Sequence, residues 1–175
     1  NVLEPAFPGF VEFNERPTHD DVVRIDIIES DSPYLAGVLD ADDDPQWWLE
    51  GSSYPIRVLD KEKVRVLITS RELGEKYGEK PVAVVFNFGK GEVFHMISHY
   101  FLQRAEFRNT RHQKTAASYA ADKGVPFDKP MADMASDLSL YEVEAAATSS
   151  RMFANIVSDK KRRFLEEQRR RQQDR

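Results

Sequence analysis

The sequence PVAVVFNFGKGEVFHMIS, residues 81–98, decides the fold that we predict for this chain. Its first eight residues form a near-continuous apolar run, which is typical of a central β-strand covered on both faces. Gly89 and Gly91 then give the backbone the freedom for a tight reversal, and residues 92–98 return as the next strand. We therefore predict a β-hairpin at the centre of a sheet.

The chain is long enough, at 175 residues, for one domain with a real core. It contains no cysteine, which excludes disulfides, thiolate metal sites and a cysteine nucleophile. No apolar run approaches the roughly 18 to 20 residues of a membrane-spanning helix, and the N-terminus lacks the pattern of a signal peptide, so we expect a cytoplasmic protein. The chain opens on Asn1 and VLEPAFPGF, which predicts a missing upstream segment.

The charge is unevenly distributed along the sequence. Residues 159–175 hold eight Lys/Arg and four Asp/Glu, so this basic tail carries +4 and the remainder carries −9 of the net −5. Most of the surface should therefore repel nucleic acid, and we predict no nucleic-acid partner. Glu166 and Glu167 lie three and four residues from the tail arginines, which suits intrahelical ion pairs on a solvated helix.

Around the hairpin, three further runs predict strands: residues 22–28, 54–60 and 63–70. Ser70 as a cap, followed by Gly78 and Pro81, predicts a short helix after the last of these strands. Between the first and second strands lies what we expect to be a long ordered loop. From Leu138 onward the pattern becomes helical, with an apolar stripe along one face: Leu138, Tyr141, Ala145, Thr148, Met152, Ile156 and Val157.

Two histidines, His95 and His99, lie four residues apart at the end of the hairpin. If the strand continues through His99, the two rings point to one face about 13 Å apart, too far to share a metal ion. If a helix begins near Met96, the rings are neighbours and could share one. Met96 stands where the zincin pattern H-E-x-x-H needs a glutamate, so we predict no metal site. A buried strand-end histidine and a ligand-binding or catalytic histidine both remain open.

The stretch DPQWWLEGSSYP, residues 44–55, is a second candidate site. Trp47 and Trp48 are costly to expose, so they predict either a closed end of the core or a wall that faces a ligand. Glu50, Ser52 and Ser53 place a carboxylate beside hydroxyl groups, although residues 51–53 also suit a simple turn. No G-x-S-x-G motif surrounds either serine, which disfavours a serine hydrolase.

An acidic run, DADDDP, spaces three aspartates as in a calcium loop. Pro45 stands where such a loop needs glycine, and Gly51 stands where it needs glutamate. We therefore predict a solvated acidic turn here. The GKG turn likewise lacks the spacing of a phosphate-binding loop, and no cofactor is predicted.

The stretch PVAVVFNFGKGEVFHMISHY resembles the closing hairpin of class I glutamine-amidotransferase-like domains, above all the trehalose-utilisation (ThuA-like) branch. On this resemblance His99 matches the branch's terminal histidine, or else Phe94-His95 matches the F-H of the F-H-P-E motif, whose histidine serves the catalytic cysteine. Met96-Ile97 replaces the Pro-Glu of that motif, and the cysteine is absent. Residues 47–104 also resemble uncharacterised bacterial proteins of this class.

The resemblance implies an α/β fold with a flavodoxin-like three-layer mixed sheet, whose first β-α units lie upstream of Asn1 or are lost. We expect this amidotransferase-like domain over residues 1–104 and a helical extension with a basic tail over residues 105–175. The expected function is a non-catalytic binding or scaffold module for a small ligand, or for a protein partner that docks on the C-terminal helix. The alternative is a hydrolase or isomerase that uses His99 or His95 as acid/base with Glu50.

Overall fold

The structure is a computed structural model that describes residues 6–39, 43, 45–49, 51–97, 115–125, 127–138 and 140–173. Eight strands and four helices lie within these ranges. The strands are β1 (Val11–Phe13), β2 (Asp21–Arg24), β3 (Asp26–Ile27), β4 (Gln46–Leu49), β5 (Ile56–Val58), β6 (Val64–Thr69), β7 (Pro81–Phe88) and β8 (Gly91–Met96). The helices are α1 (Arg71–Tyr77), α2 (Ala116–Asp122), α3 (Lys129–Met134) and α4 (Leu140–Gln173).

The predicted hairpin is confirmed, but only its first strand is central: β7 lies between two strands, whereas β8 is at the edge of the described sheet. This sheet has the strand order β3-β6-β7-β8, and β7 and β8 pair from Phe88 and Gly91 at the turn to Ala83 and Met96. Residues 82–86 of β7 are all buried, as expected for a strand covered on both faces. At the turn, Gly89 has a φ of 59°, a left-handed conformation that favours glycine.

Besides the main sheet there are two separate two-stranded antiparallel sheets, β1-β5 and β2-β4. The strand expected at 22–28 is divided: β2 pairs with β4, whereas β3 pairs with β6. Strand β4 lies inside the segment that was expected to be a loop, so the loop prediction was wrong at this point. The physical reason is that the partner of β4 is β2, more than twenty residues away, and a local pattern does not show such pairing.

The two faces of the main sheet have different covers. Val84 pairs with His95 and Phe86 with Val93, so these four side chains share one face. Phe10 stacks on Phe86 on this face, which is therefore covered by the N-terminal segment. The other face carries the alternate residues of β8, and they meet Tyr34 and helix α4.

Helix α1 has the ends that the sequence predicts. The side chain of Ser70 accepts a hydrogen bond from the backbone N–H of Leu73 at 3.2 Å, and Gly78 closes the helix with a φ of 88°. Leu73 and Tyr77 are the buried residues of this helix. The sequence signals sufficed here because both caps form within the segment itself.

Helix α4 is 34 residues long, about 51 Å, and packs on the body through part of the predicted stripe. Ala145, Thr148 and Met152 are buried, and Ile156 packs against the core. Leu138 precedes the helix and is exposed, and Val157 is half-exposed, so these two members of the stripe were wrongly predicted. The angle of 100° between successive helical residues places Val157 away from Met152 and Asp159, which are buried.

The fold is a mixed α/β arrangement with several antiparallel sheets and a C-terminal helix. All strand pairs among the described residues are antiparallel. The flavodoxin-like topology is not confirmed, because such a sheet consists of parallel strands joined by crossover helices. Within the described ranges, no helix combines the length and the apolar character that crossing a bilayer requires.

Candidate functional site

The two tryptophans belong to strand β4. Trp47 is fully buried and Trp48 is half-buried, and in the register they pair with Val23 and Val22. Trp47 is part of the hydrophobic core, and its indole N–H is buried with no hydrogen-bond acceptor among the described residues. The burial favours the interpretation of Trp47 as one end of the core over that of a wall facing a ligand.

The two serines lie in the turn that follows β4. The N–H of Ser52 donates to the carbonyl of Thr18 at 2.9 Å, and the N–H of Thr18 donates to the carbonyl of Ser53 at 2.7 Å. The backbone N–H of Gly51 donates to the Asp20 carboxylate at 2.6 Å. Ser52 has a φ of 69°, which non-glycine residues rarely adopt, and these hydrogen bonds hold it there. The contacts are those of a fixed turn, while Glu50 lies outside the described residues.

His95 lies in β8 on the face that the N-terminal segment covers. Its ring and that of Phe13 form a T-shaped contact with centroids 5.3 Å apart, and its Nε2 is buried with no hydrogen-bond partner in the described ranges. Burial lowers the pKa of His95 to about 4, so the imidazole is neutral at neutral pH. This environment favours the core-histidine alternative. His99 lies outside the described residues.

The described candidates do not form one site. His95 belongs to the main sheet, whereas Trp47 and Trp48 belong to the β2-β4 ladder, and Ser52 and Ser53 to the turn after it. A search of the described part of the chain finds no group of three or more His, Asp or Glu side chains that could hold a metal ion. The candidate site must therefore be sought elsewhere in the fold.

A cleft of about 430 Å³ lies between helix α2, one face of helix α4 and the loop at Gly37. Its volume is within the range of about 300 to 1,000 Å³ that is typical of small-molecule sites. Part of the lining is apolar, from Val38, Val125, Ala147 and Ala154. The polar part consists of hydroxyl, amide and cationic groups, from Tyr119, Lys123, Thr148, Ser150, Arg151, Asn155 and Ser158.

One wall of the cleft is built on a buried carboxylate. Asp43 has a fully buried side chain, and it accepts hydrogen bonds from the Tyr119 hydroxyl at 2.9 Å and from the Lys123 ammonium at 2.7 Å. Both donors come from helix α2 and its end, so Asp43 fixes that helix against the body. The prediction of a solvated acidic turn was wrong for Asp43, because these partners, far away in the sequence, compensate for its burial.

The loop at Gly37, which forms another side of the cleft, is hydrogen-bonded to helix α4. The side-chain amide of Asn155 donates to the carbonyls of Tyr34 and Ala36 at 3.1 and 2.8 Å. These two bonds hold the loop that carries Gly37 and Val38 against the helix. Both sides of the cleft are thus fixed by hydrogen bonds within the protein, which lowers the cost of ordering on binding.

Helix α4 is further held by four charged side chains and one hydroxyl, which we call the helix latch: Glu92, Asp159, Lys160, Arg163 and Tyr34. Glu92 accepts hydrogen bonds from the Tyr34 hydroxyl at 2.5 Å and from Lys160 at 2.6 Å, and Arg163 lies 3.3 Å away. Arg163 also pairs with Asp159 at 2.7 Å. The latch connects the start of β8 to the helix.

The latch shifts the pKa values of its members. Burial alone would raise the pKa of Glu92, but the hydrogen bonds from Lys160 and Tyr34 and the nearby positive charges outweigh it, so this pKa lies below its ordinary value. Burial, together with the hydrogen bond to Glu92, raises the pKa of Tyr34. Glu92 is therefore ionised and Tyr34 is neutral at neutral pH.

Reasoning from the sequence missed both the cleft and the latch. The only local signal of the cleft is a row of short side chains, Ala147, Ala154 and Ser158, on the same face of α4 as Arg151. Small residues leave space against a neighbouring element, but the sequence does not say which element lies opposite.

Comparisons with protein-family models, with curated proteins and with solved structures found no match for this chain.

Proposed function

We propose that the chain is a binding module that holds a small molecule in the cleft between α2 and α4. The observation that carries the proposal is a space of about 430 Å³ with mixed apolar and polar lining, between walls that hydrogen bonds already fix. Concave sites of this size, with a few oriented polar groups on an apolar lining, are the usual form of small-molecule sites.

Binding, rather than catalysis, fits the chemistry of this lining. Among the described residues that line the cleft there is no histidine, aspartate or glutamate to act as a general base. The serine and threonine hydroxyls therefore have no described partner that could activate them. The ammonium of Lys123 is paired with the carboxylate of Asp43 at 2.7 Å.

The wider relationship to amidotransferase-like domains is a proposal that rests on the hairpin of residues 81–96 and its G-K-G turn. On that proposal the chain is a non-catalytic relative of the class, since it has no cysteine to serve as the nucleophile. A flavodoxin-like parallel sheet would require strands outside the described residues.

A second candidate function, docking of a protein partner, is favoured by the end of helix α4. Phe164 and Leu165 are exposed beyond the latch, at 59% and 44%. Ten residues of α4 follow Arg163. An exposed apolar pair on a protruding helix is a common way to contact another protein.

The cleft can be tested by mapping fragment binding with amide NMR shifts. We expect hits from a fragment library to shift the signals of Gly37, Val125 and Ala154. The Ala154→Trp variant should lose these hits, because the indole would fill the cleft from an exposed helical position. Ala146→Trp is the matched control, since Ala146 is exposed on the same helix but does not line the cleft. Hits that persist in Ala154→Trp, or that map elsewhere, would refute the proposal.

A further inference from the structure

Arg151 differs from three other arginines of helix α4, each of which pairs with a carboxylate. Arg162 and Arg163 pair with Asp159, and Arg171 pairs with Glu167. Arg151 has alanine, threonine or asparagine at the positions three and four residues away, and it forms no ion pair with any described residue. Arg151 lines the cleft, and its guanidinium carries five N–H donors with no carboxylate partner among the described residues.

Lys123, the second cationic residue that lines the cleft, has a carboxylate partner, unlike Arg151. Lys123 is paired with the buried carboxylate of Asp43, so these two charges cancel. Among the described lining residues, Arg151 is thus the source of a net charge of +1. A guanidinium that lines a concave space recognises a carboxylate well, because its planar fork matches the two carboxylate oxygens.

We propose that the cleft takes an amphipathic monoanion, a small molecule with one carboxylate and an apolar body, and that Arg151 binds the carboxylate. This inference rests on the proposed function and names the class of its ligand. Val38, Val125, Ala147 and Ala154 supply the apolar contacts for the body of the molecule. A dianion would leave one charge without a cationic partner, and a cation would meet Arg151 as a like charge.

The test compares a carboxylate probe with its uncharged analogue. The probe is 4-phenylbutyrate, the analogue is 4-phenylbutan-1-ol, and binding to the full chain is measured by isothermal titration calorimetry. We expect the acid to bind about fivefold more tightly than the alcohol, the upper end of what an ion pair with an exposed arginine supplies. The preference should weaken as salt is added.

Variants assign the preference to one residue. Arg151→Gln should weaken binding of the acid about fivefold and leave binding of the alcohol unchanged. Arg170→Gln removes an exposed arginine of the same helix that does not line the cleft, so it should change neither. Ala154→Trp should abolish binding of both probes. Circular dichroism of each variant checks that helix content is retained.

The outcomes distinguish an error in the class of ligand from an error in the proposed binding function. If the wild type binds acid and alcohol equally well, and Ala154→Trp abolishes binding of both, the cleft is a ligand site but the monoanion class is wrong. If Arg170→Gln weakens the acid as much as Arg151→Gln does, the acid binds the helix surface non-specifically and the assignment to Arg151 is wrong. Failure of the acid to bind at all, while fragments still map to the cleft, also overturns the class and leaves the binding function intact.

Discussion

Replacing His95 with leucine should remove a large part of the acid sensitivity of this fold. The imidazole is half-buried with an inaccessible Nε2, and its pKa is about 4, compared with an ordinary value of 6.5. A group with a lowered pKa in the folded state binds its proton more readily when the chain is unfolded. Stability therefore falls as pH falls below 6.5, and the loss is complete once the pH is below about 4.

The magnitude follows from the two pKa values. At pH 7 the histidine is neutral in both states, and the linkage term is only a few tenths of a kcal/mol. At pH 5 it is protonated in the unfolded chain and still neutral in the fold, which costs about 2 kcal/mol. Leucine has no proton to bind, so the stability of His95→Leu relative to the wild type should rise by about 2 kcal/mol between pH 7 and pH 5.

The assay is urea denaturation of both proteins at pH 7, 6 and 5, followed by tryptophan fluorescence. The other titrating groups are common to the two chains, so their effects cancel in the difference. His19→Gln serves as the control, because it replaces a histidine whose side chain is exposed. A difference between His95→Leu and wild type that stays constant from pH 7 to pH 5 would refute the burial of His95. An NMR titration of the ring should independently give an apparent pKa near 4.

Two further predictions concern the helix latch and the hairpin. Glu92→Gln should lower the free energy of unfolding by about 1 to 2 kcal/mol at pH 7, less than for a fully buried pair, because Lys160 and Arg163 are 42% exposed and stay solvated. The pKa of Glu92 is lower in the folded chain than in the unfolded chain, so Glu92 contributes its full stabilisation at pH values above its unfolded pKa. The stability difference between wild type and Glu92→Gln should therefore shrink as the pH falls through the folded-state pKa. A stability difference that grows below pH 4 would contradict the assignment. Phe86→Ala should cost on the order of 3 to 4 kcal/mol and Val84→Ala about 2, measured by the same denaturation, and two unchanged midpoints would show that β7 is not central.

The parts of the fold that could be predicted from the sequence are those whose causes are local. The β7-β8 hairpin follows from an apolar run and two glycines within eleven residues, and α1 follows from Ser70 and Gly78 at its ends. The division of residues 21–27 between β2 and β3 could not be predicted, because it depends on partners at 46–49 and 68–69. An alternating apolar pattern specifies a strand but not its partner.

The candidate site could be predicted even less, because its parts are far apart in the sequence. Asp43 meets Tyr119 and Lys123 across 76 and 80 residues. Asn155 meets the loop at Ala36 across 119 residues. The conspicuous sequence features, the tryptophan pair and His95, proved to be packed into the structure, with Trp47 fully buried and Trp48 and His95 half-buried. Large or aromatic side chains are more often buried for packing than placed for binding.

The latch and the cleft are connected through helix α4, which provides a wall of the cleft and carries three members of the latch. Removing α4 from the body would break the Glu92 contacts and, at the same time, take Arg151 and Ala154 away from the loop at Gly37. A ligand that needs both walls would bind only while the helix is docked. By mass action such a ligand stabilises the docked helix by an amount that grows with its concentration relative to its dissociation constant. The latch thus holds the cleft in shape, and a ligand bound there would in turn stabilise the docked position of the helix.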